Sequence, residues 1–361
     1  MNTIQYPDYL ALLVPWLEDP EVLEIMVNGH DNVYLERNHK LVRVNSPFQS
    51  KEQLLEVMQS IAGALGRRLD DTNPYTDARL PDDSRVNMVI PPIAVSGPSL
   101  VIRKVRTGPL SIEDLVRFGS WNEDSVRFLR VCVIARLNIV VAGPTGSGKT
   151  TFLNALAGMI PHGERIITIE NAAELQLPQR RVVPMESRPP DMEGRGEVTI
   201  RDLVRNALFM RPDRIVVGEV RGGEAFDILR AMTTGHDGSM FSVHAGHPRD
   251  ALDRLETMSA MANPSVPLLN LRQQMAAAID LVVYVERVSD GSRKVVNITE
   301  VQGMEGDVVV MQDIFAFEQT GIKAGKVIGR LRPTGTSPKF LDLLRSVGIE
   351  PPLPMDIFVL K

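Results

Sequence analysis

Residues 143–150 read GPTGSGKT, and this segment limits the possible folds more than any other part of the chain. An apolar run at 137–143 predicts a buried strand before it, and residues 150–160 predict a helix after it. Glycines at these positions let backbone N–H groups turn towards phosphate oxygens, and the start of the helix adds partial positive charge. The pattern in this strand–loop–helix setting predicts a site for nucleotide phosphates.

The polar residues of this loop, which we call the P-loop (residues 143–150), have expected tasks. Lys149 brings a point charge to the β- and γ-phosphates, and the Thr150 hydroxyl is suited to Mg²⁺. We therefore expect ATP and Mg²⁺ as cofactors. The residues expected to bind the nucleotide here are Gly143, Pro144, Thr145, Gly146, Ser147, Gly148, Lys149, Thr150 and Thr151.

The chain after residue 111 alternates short apolar strands with helical stretches. Besides 137–143, strands are predicted at 165–170, 214–219 and 239–245. This alternation predicts an α/β domain with a largely parallel core sheet. After residue 280, strands separated by turns predict antiparallel hairpins packed at the edge of that sheet.

The first hundred or so residues predict a smaller α/β domain. Residues 51–68 place four apolar side chains on one helical face, those of Leu54, Met58, Ile61 and Leu65. Short apolar runs broken by turns surround this helix and favour antiparallel strands. The segment RTGPLS, residues 106–111, predicts a linker, and Ser111 with Asp114 predicts a capped helix start. We therefore divide the chain into domains at 1–107 and 113–361 with a hinge at 108–112.

The composition indicates the cellular compartment of the protein and excludes some classes of binding partner. The single cysteine, Cys132, excludes an intrachain disulfide and any zinc site that needs several cysteines, so a reducing cytosol is the default. The first twenty residues lack the features of a signal peptide, and no apolar run approaches the roughly 18 residues of a membrane span. With 40 Lys and Arg against 45 Asp and Glu, the net charge of -5 gives no general attraction to nucleic acid.

Hydrolysis of a nucleotide requires a carboxylate that orients water and a second acidic group near the metal. Such groups are expected at the carboxyl ends of strands parallel to the strand before the P-loop. An apolar run leads directly into Glu219, which makes it the candidate for the first role. For the second role, Glu170 ends another strand and Glu174 follows four residues later. An ordinary solvated carboxylate is the alternative at each position.

Histidines and arginines supply further candidates. His236 and His244 flank the strand predicted at 239–245, where they either sense the γ-phosphate or are ordinary structural residues. The region before the linker carries Arg79, Arg85, Arg103 and Arg106. These are either solvated surface groups or guanidinium groups that stabilise a transferring phosphoryl group.

Together these segments resemble the secretion ATPase superfamily, which powers type II secretion, type IV pili and type IV secretion. The resemblance rests on GPTGSGKTT as Walker A, TIENAAEL as an Asp-box-like segment, MRPDRIVVGEVRGGEA as Walker B and TGHDGSMFSVHA as a His box. It implies a small N-terminal α/β (PAS-like) domain and a RecA-like P-loop ATPase domain with C-terminal antiparallel hairpins. Asn171 stands where Asp is common in the family, which leaves Glu170 and Glu174 as the acidic candidates.

The resemblance implies roles for single residues. Glu219 would be the general base or water-orienting group, and His244 the phosphate-proximal histidine. Glu174 would be the second acidic residue near Mg²⁺, bound directly or through water.

The resemblance also assigns the arginines and the second histidine. Arg85 and Arg103 would reach the γ-phosphate from the N-terminal domain, while Arg211 and His236 would lie at the nucleotide site. Binding of ATP would then close one domain over the other about the hinge. The family works as a homohexamer on inner-membrane platform proteins at the cytoplasmic face, without nucleic acid and without a membrane span.

The branch of the family follows from finer features. The GHDGS form of the His box and the segments 24–38, 298–319 and 329–349 are most similar to Tad/Flp pilus assembly ATPases (CpaF-like). One cysteine excludes the tetracysteine zinc module common in type II secretion and in type IVa and IVb pilus extension ATPases. A conjugation-type type IV secretion ATPase is the alternative within the family. Outside the pilus and secretion motors, the alternatives are a nucleic-acid-dependent RecA- or helicase-like motor and an ATP-binding switch without turnover.

Overall fold

The computed structural model describes residues 6–37, 40–82, 84–104, 108, 110–191 and 193–341. Contacts divide the chain into two units, Met1–Thr107 and Gly108–Lys361, and each is described by itself. Within the expected hinge, residue 109 lies outside the described residues, as does the candidate Arg106. The family-like C-terminal segment is described only as far as residue 341.

The first unit is one antiparallel sheet with a helix packed on one face. The strands lie in the order β3-β2-β1-β6-β5-β4, and every described pairing is antiparallel. The elements are α1 Val14–Leu17, β1 Val22–Asn28, β2 Val33–Arg37, β3 Lys40–Val44, α2 Lys51–Ala64, β4 Tyr75–Arg79, β5 Arg85–Val89 and β6 Ser99–Arg103, after a 3-10 turn at Asp8–Leu10.

Helix α2 forms because its apolar residues share one face and its first turn is capped. The Ser50 side chain accepts a hydrogen bond from the Gln53 backbone N–H, which satisfies a donor at the helix start. Leu54, Met58 and Ile61 are fully buried in the core of this unit, which confirms these three residues of the predicted helical face. The predicted fourth residue, Leu65, follows the last helical residue as its C-cap and packs half-buried against the same core.

The second unit is built on a mixed nine-stranded sheet, in the order β15-β14-β13-β12-β7-β11-β10-β8-β9. The strands from β12 to β9 in that order are parallel, and β13 to β15 continue the sheet as antiparallel hairpins. The elements are α3 Ile112–Arg117, α4 Glu123–Ile134, β7 Ile139–Gly143, α5 Lys149–Ala157, β8 Ile166–Glu170, β9 Val182–Glu186, α6 Ile200–Ala207, β10 Arg214–Val220, α7 Glu224–Met232, β11 Met240–His244, α8 Pro248–Ala262, α9 Leu268–Ala278, β12 Leu281–Arg287, β13 Arg293–Glu305, β14 Val308–Lys323 and β15 Lys326–Pro333.

The central strands of this sheet are covered on both faces. In β7, Ile139 and Val141 join a core that includes α4 and α5, whereas Val140 and Ala142 join a core that includes α6 to α9. This explains why β7 reads as a continuous apolar run rather than as an alternating pattern. Cys132 of α4 is fully buried in the first core, and burial raises the pKa of its thiol.

The predicted α/β architecture is confirmed, with one refinement for the C-terminal hairpins. The Ser111–Asp114 capping box is present at the start of α3. The C-terminal hairpins belong to the main sheet itself. Strand β12 pairs in parallel with β7 on one side and antiparallel with β13 on the other. Among the described helices, none combines the length and the apolar character needed to cross a membrane.

Candidate nucleotide-binding site

The backbone of the P-loop depends on glycine at three positions. Gly146 and Gly148 have φ values of 76° and 94°, a left-handed conformation that side chains rarely adopt. Gly143 ends β7 where an ideal Cβ atom would lie 2.2 Å from the carbonyl oxygen of Val285. Helix α5 begins at Lys149, so the last two residues of the P-loop form the start of this helix. Its first N–H groups therefore point out of the helix start at the place where the motif predicts phosphate.

The side chains of the loop fit a phosphate group. The Ser147 hydroxyl is buried and has no hydrogen-bond partner among the described residues. Thr150 and Thr151 are half-buried on the first turn of α5. An orphaned hydroxyl next to free helix-start N–H groups is an arrangement that an oxyanion completes.

Lys149 and Glu219 face each other at the P-loop. The Lys149 Nζ lies 3.7 Å from Glu219 Oε1 and donates a hydrogen bond of 3.3 Å to the Pro144 carbonyl. Both side chains are largely buried, with 11% and 22% of their surface exposed. Burial lowers the pKa of Lys149, and the Glu219 carboxylate opposes that shift. The predicted phosphate-binding lysine and the predicted general base therefore share one site.

An irregularity in β10 places Glu219. The pairing of β10 with β11 changes register between Val217 and Val220, so the backbone bends at this point. The Gly218 carbonyl there accepts a hydrogen bond of 2.6 Å from the Ser242 hydroxyl. Arg221 then fixes the carboxylate, since its Nε donates to Glu219 Oε2 at 2.7 Å.

His244 reaches the same loop from the end of β11. His244 is paired with Gly143 on the neighbouring strand β7, and its Nδ1 lies 3.4 Å from Thr145 Oγ1. Burial lowers the pKa of His244, and the positive charges of Lys149 and Arg254 lower it further. The imidazole is therefore neutral at neutral pH.

The two acidic candidates after β8 differ in their surroundings. Glu170 is buried, and its Oε1 accepts hydrogen bonds from the backbone N–H groups of Glu174 and Leu175 at 3.1 and 3.2 Å. Its carboxylate thus shapes the loop that follows β8. The Glu174 side chain is exposed and makes no polar contact within the part of the chain that is described.

The structure does not bring His236 and Arg211 to the P-loop. His236 precedes β11 by several residues, and His244 ends that strand beside the P-loop. Five residues of strand alone separate the two ends by roughly 13 Å. Arg211 likewise precedes β10, whereas Glu219 lies near its carboxyl end. In a parallel sheet all amino ends of the strands lie on one side and all carboxyl ends on the other. His236 and Arg211 therefore lie at the amino ends, and the P-loop lies at the carboxyl ends.

Arg85 and Arg103 lie side by side on the first unit. They are direct cross-strand partners on β5 and β6, and Glu24 of β1 stands opposite Arg103 on its other side. Arg103 is exposed, while Arg85 forms an ion pair of 3.2 Å with Asp77. Directly opposed residues share one face of a sheet, so the two guanidinium groups start from the same face.

Sequence reasoning missed three arginines at the P-loop site. Arg221 holds Glu219, Arg254 donates to the His244 carbonyl at 2.7 Å, and Arg293 donates to the Gly146 carbonyl at 2.9 Å. The position of Arg221, two residues after Glu219, is a signal that could have found it. Arg254 and Arg293 carry no such signal, because the fold alone brings them to the site.

Comparison with known proteins identifies the family of the chain. The family described as type II/IV secretion system protein matches residues 9–326. The chain belongs to this family. The type IV secretion system protein PtlH of Bordetella pertussis is 36% identical over 316 residues, which cover 79% of this chain and 92% of that protein. The conjugal transfer protein TrbB of Rhizobium radiobacter is 32% identical over 295 residues, covering 80% and 86%.

A solved structure shares the fold of this type II/IV secretion system family member. The pilus retraction motor PilT, crystallised with bound ADP, matches with a TM-score of 0.59 and 16% identity, covering 96% of this chain and 88% of that one. The resemblance to the secretion ATPase superfamily is confirmed by the family match, and the RecA-like architecture by the shared fold.

Proposed function

We propose that this protein is a Mg²⁺-dependent ATPase that works as a homohexameric motor of a pilus or secretion machine. One observation carries the enzymatic part: Lys149, Glu219 and His244, from three separate segments, meet at a loop whose backbone is shaped for phosphate. Membership of the secretion family supports the motor part.

The geometry suggests how the chain's own groups act on ATP. Without a phosphate nearby, Lys149 is held by Glu219 and by the Pro144 carbonyl. A bound γ-phosphate would draw the Lys149 ammonium away, since a multiply charged anion competes with a single carboxylate. Glu219 would then be free to orient a water molecule and accept its proton.

Mg²⁺ would be held by the Thr150 hydroxyl and, directly or through water, by Glu174. Bound there, the ion would neutralise charge that develops on the phosphate oxygens. Arg85 and Arg103 are proposed to contact the γ-phosphate and stabilise the same charge. This proposal gives no role to His236 and Arg211, because they lie at the amino ends of β11 and β10, away from the P-loop.

Catalysis is tested by two substitutions and one control. E219Q keeps the shape of the side chain but removes its basicity, so we expect kcat to fall by at least about a hundredfold while ATP affinity changes little. K149A should lose tight ATP binding. E197Q changes an exposed glutamate far along the chain from both and should behave as wild type. Retained turnover in E219Q would falsify the assignment of Glu219. In a separate test of the nucleic-acid motor alternative, added DNA should leave the ATPase rate of the wild-type protein unchanged.

The machine itself is the second part of the proposal. The sequence features favour a motor at the cytoplasmic face of the inner membrane that acts on the platform protein of a Tad/Flp pilus. The similarity to a conjugal transfer protein and to a type IV secretion system protein favours a conjugation-type secretion ATPase as the second candidate. Deletion of the gene separates them: loss of surface pili with intact secretion and conjugation supports the first, and the reverse supports the second.

A further inference from the structure

The hairpin between β12 and β13 forms one wall of the P-loop. Strand β12 runs parallel to β7, with Tyr284 paired to Ala142. At the next step along the two strands, the Val285 carbonyl stands so close to Gly143 that a Cβ atom would not fit. The turn after β12 and the first residue of β13 therefore emerge beside the P-loop.

Arg293, the first residue of β13, contacts the P-loop. Its Nε donates a hydrogen bond of 2.9 Å to the Gly146 carbonyl. Its Cδ lies 3.1 Å from the position that a Cβ atom on Gly148 would take. The side chain thus contacts both left-handed glycines of the P-loop, with its stem at one and its guanidinium group at the other.

The hairpin that carries Arg293 is anchored on both sides. Asp290 accepts hydrogen bonds from the backbone N–H groups of Ser292, at 2.8 Å, and of Val327 in β15, at 2.7 Å. Lys294, the next residue, is buried and donates to the Gly119 carbonyl at 3.0 Å. Arg293 therefore projects from a fixed support.

The orientation of the Gly146 peptide matters for phosphate binding. A phosphate-binding loop works when its N–H groups face the anion and its carbonyl groups face away. Glycine in the left-handed region has no Cβ atom to restrict peptide rotation, so the loop alone does not fix this orientation. A hydrogen bond from a charged donor to the outward carbonyl does fix it, and such bonds are stronger than neutral ones.

We propose that Arg293 is a positioning residue for the nucleotide: by holding the Gly146 carbonyl outward, it keeps the P-loop in its phosphate-binding conformation before ATP arrives. This inference rests on the proposed ATPase function. It concerns affinity rather than chemistry, because the loop conformation serves the bound nucleotide equally before and during hydrolysis.

The test compares three full-length variants with wild type. R293M keeps the stem that packs at Gly148 and removes the donor, and R293K keeps a charged donor. R287M is the matched control, because Arg287 is the exposed cross-strand partner of Arg293 on the same hairpin. We expect R293M to raise KM for ATP and Kd for ADP by about tenfold, with kcat within about threefold of wild type, and R293K to restore most of the affinity. R287M should bind like wild type.

Three results would overturn the inference. They are an unchanged KM in R293M, equal losses of affinity in R293M and R287M, and a fall in kcat at constant KM. A circular-dichroism melt without nucleotide checks that R293M is folded. If R293M is not folded, R293K decides the test: it should bind ADP with nearly wild-type affinity, and a loss of about tenfold in folded R293K would overturn the inference. Wild-type protein that neither binds nor hydrolyses ATP would instead refute the proposed function itself.

Discussion

The charge of the His244 ring depends on what lies next to it. Burial, Lys149 and Arg254 lower its pKa from the ordinary 6.5, and Glu219 only partly opposes them. A nucleotide phosphate on the P-loop would bring negative charge to the side of the ring that faces Thr145, and would raise the pKa again. The nucleotide-bound protein therefore holds more protons at His244 than the free protein at mildly acidic pH.

We predict that ADP binding is accompanied by proton uptake at His244. Because the bound state has the higher pKa, affinity for ADP rises as the pH falls from about 7.5 to about 6. H244N keeps a polar atom near the Nδ1 position but does not titrate, so part of this dependence should vanish. Calorimetry at about pH 6 in two buffers of different ionisation enthalpy counts the protons. Equal counts for wild type and H244N would contradict the prediction.

Single residues could be predicted from the sequence where chemistry and local order coincide. Lys149 lies inside a motif, and Glu219 ends an apolar strand, so neither depends on the rest of the fold. Arg293 could not be predicted, because its contact with Gly146 spans 147 residues and exists only once β12 lies beside β7. The family resemblance implies His236 at the nucleotide site, whereas in the fold this residue precedes β11 and His244 ends that strand beside Gly143.

At the scale of elements, a buried ion pair joins the start of β10 to two neighbouring segments. Arg214 is fully buried, and its guanidinium group donates to both carboxylate oxygens of Glu164, at 2.6 and 3.1 Å. It also donates to the Gly238 carbonyl at 3.2 Å, where an ideal Cβ atom on that glycine would lie 1.7 Å from Arg214 Nη1. The strand that carries Glu219 near its carboxyl end is therefore fixed at its amino end by the Arg214 side chain.

We predict that R214M destabilises the second unit strongly. The substitution leaves Glu164 without its main partner in a largely buried place, which typically costs about 3–5 kcal/mol. The control is R136M, because Arg136 pairs with the same carboxylate at 3.1 Å but is 43% exposed. Exposed pairs contribute at most about 1 kcal/mol. Urea unfolding followed by circular dichroism measures both, and similar losses for the two variants would refute the special role of Arg214.

Most strands and helices of the second unit could be predicted because its core segments carry strong local patterns. The strand predicted at 137–143 is present as β7, shorter than predicted by two residues. Strand β9 is not predicted from the sequence, since Pro184 interrupts its short apolar run and proline argues against a strand assignment. The strand order was also beyond prediction, because it depends on packing between segments far apart in the chain.

At the scale of the whole molecule, the two units have separate hydrophobic cores. One core contains only residues of the first unit, including Leu54 and Met58 of α2, and two further cores lie on the faces of the second unit's sheet. The P-loop and the Lys149–Glu219 pair belong to the second unit. A ligand stabilises the folded unit that binds it, so ADP should act unequally on the two.

We predict two calorimetric unfolding transitions for the full-length chain, of which ADP raises only one. At about 100 times its Kd, ADP adds about 2.7 kcal/mol to the stability of the unit that binds it. The variant M58A removes a fully buried side chain from the core of the first unit. It should lower the free energy of unfolding of that unit by about 2–5 kcal/mol and shift its transition to lower temperature. Differential scanning calorimetry with and without ADP separates these effects.

Combining M58A with ADP tests whether the two units unfold independently. If the cores unfold independently, M58A lowers one transition and leaves the ADP-induced shift of the other unchanged, because energies at uncoupled sites add. K149A supplies the ligand control, since it should abolish the ADP shift while both transitions remain. A single transition that M58A and ADP move together would show instead that the two units unfold cooperatively, and the division between residues 107 and 108 would then have no thermodynamic meaning.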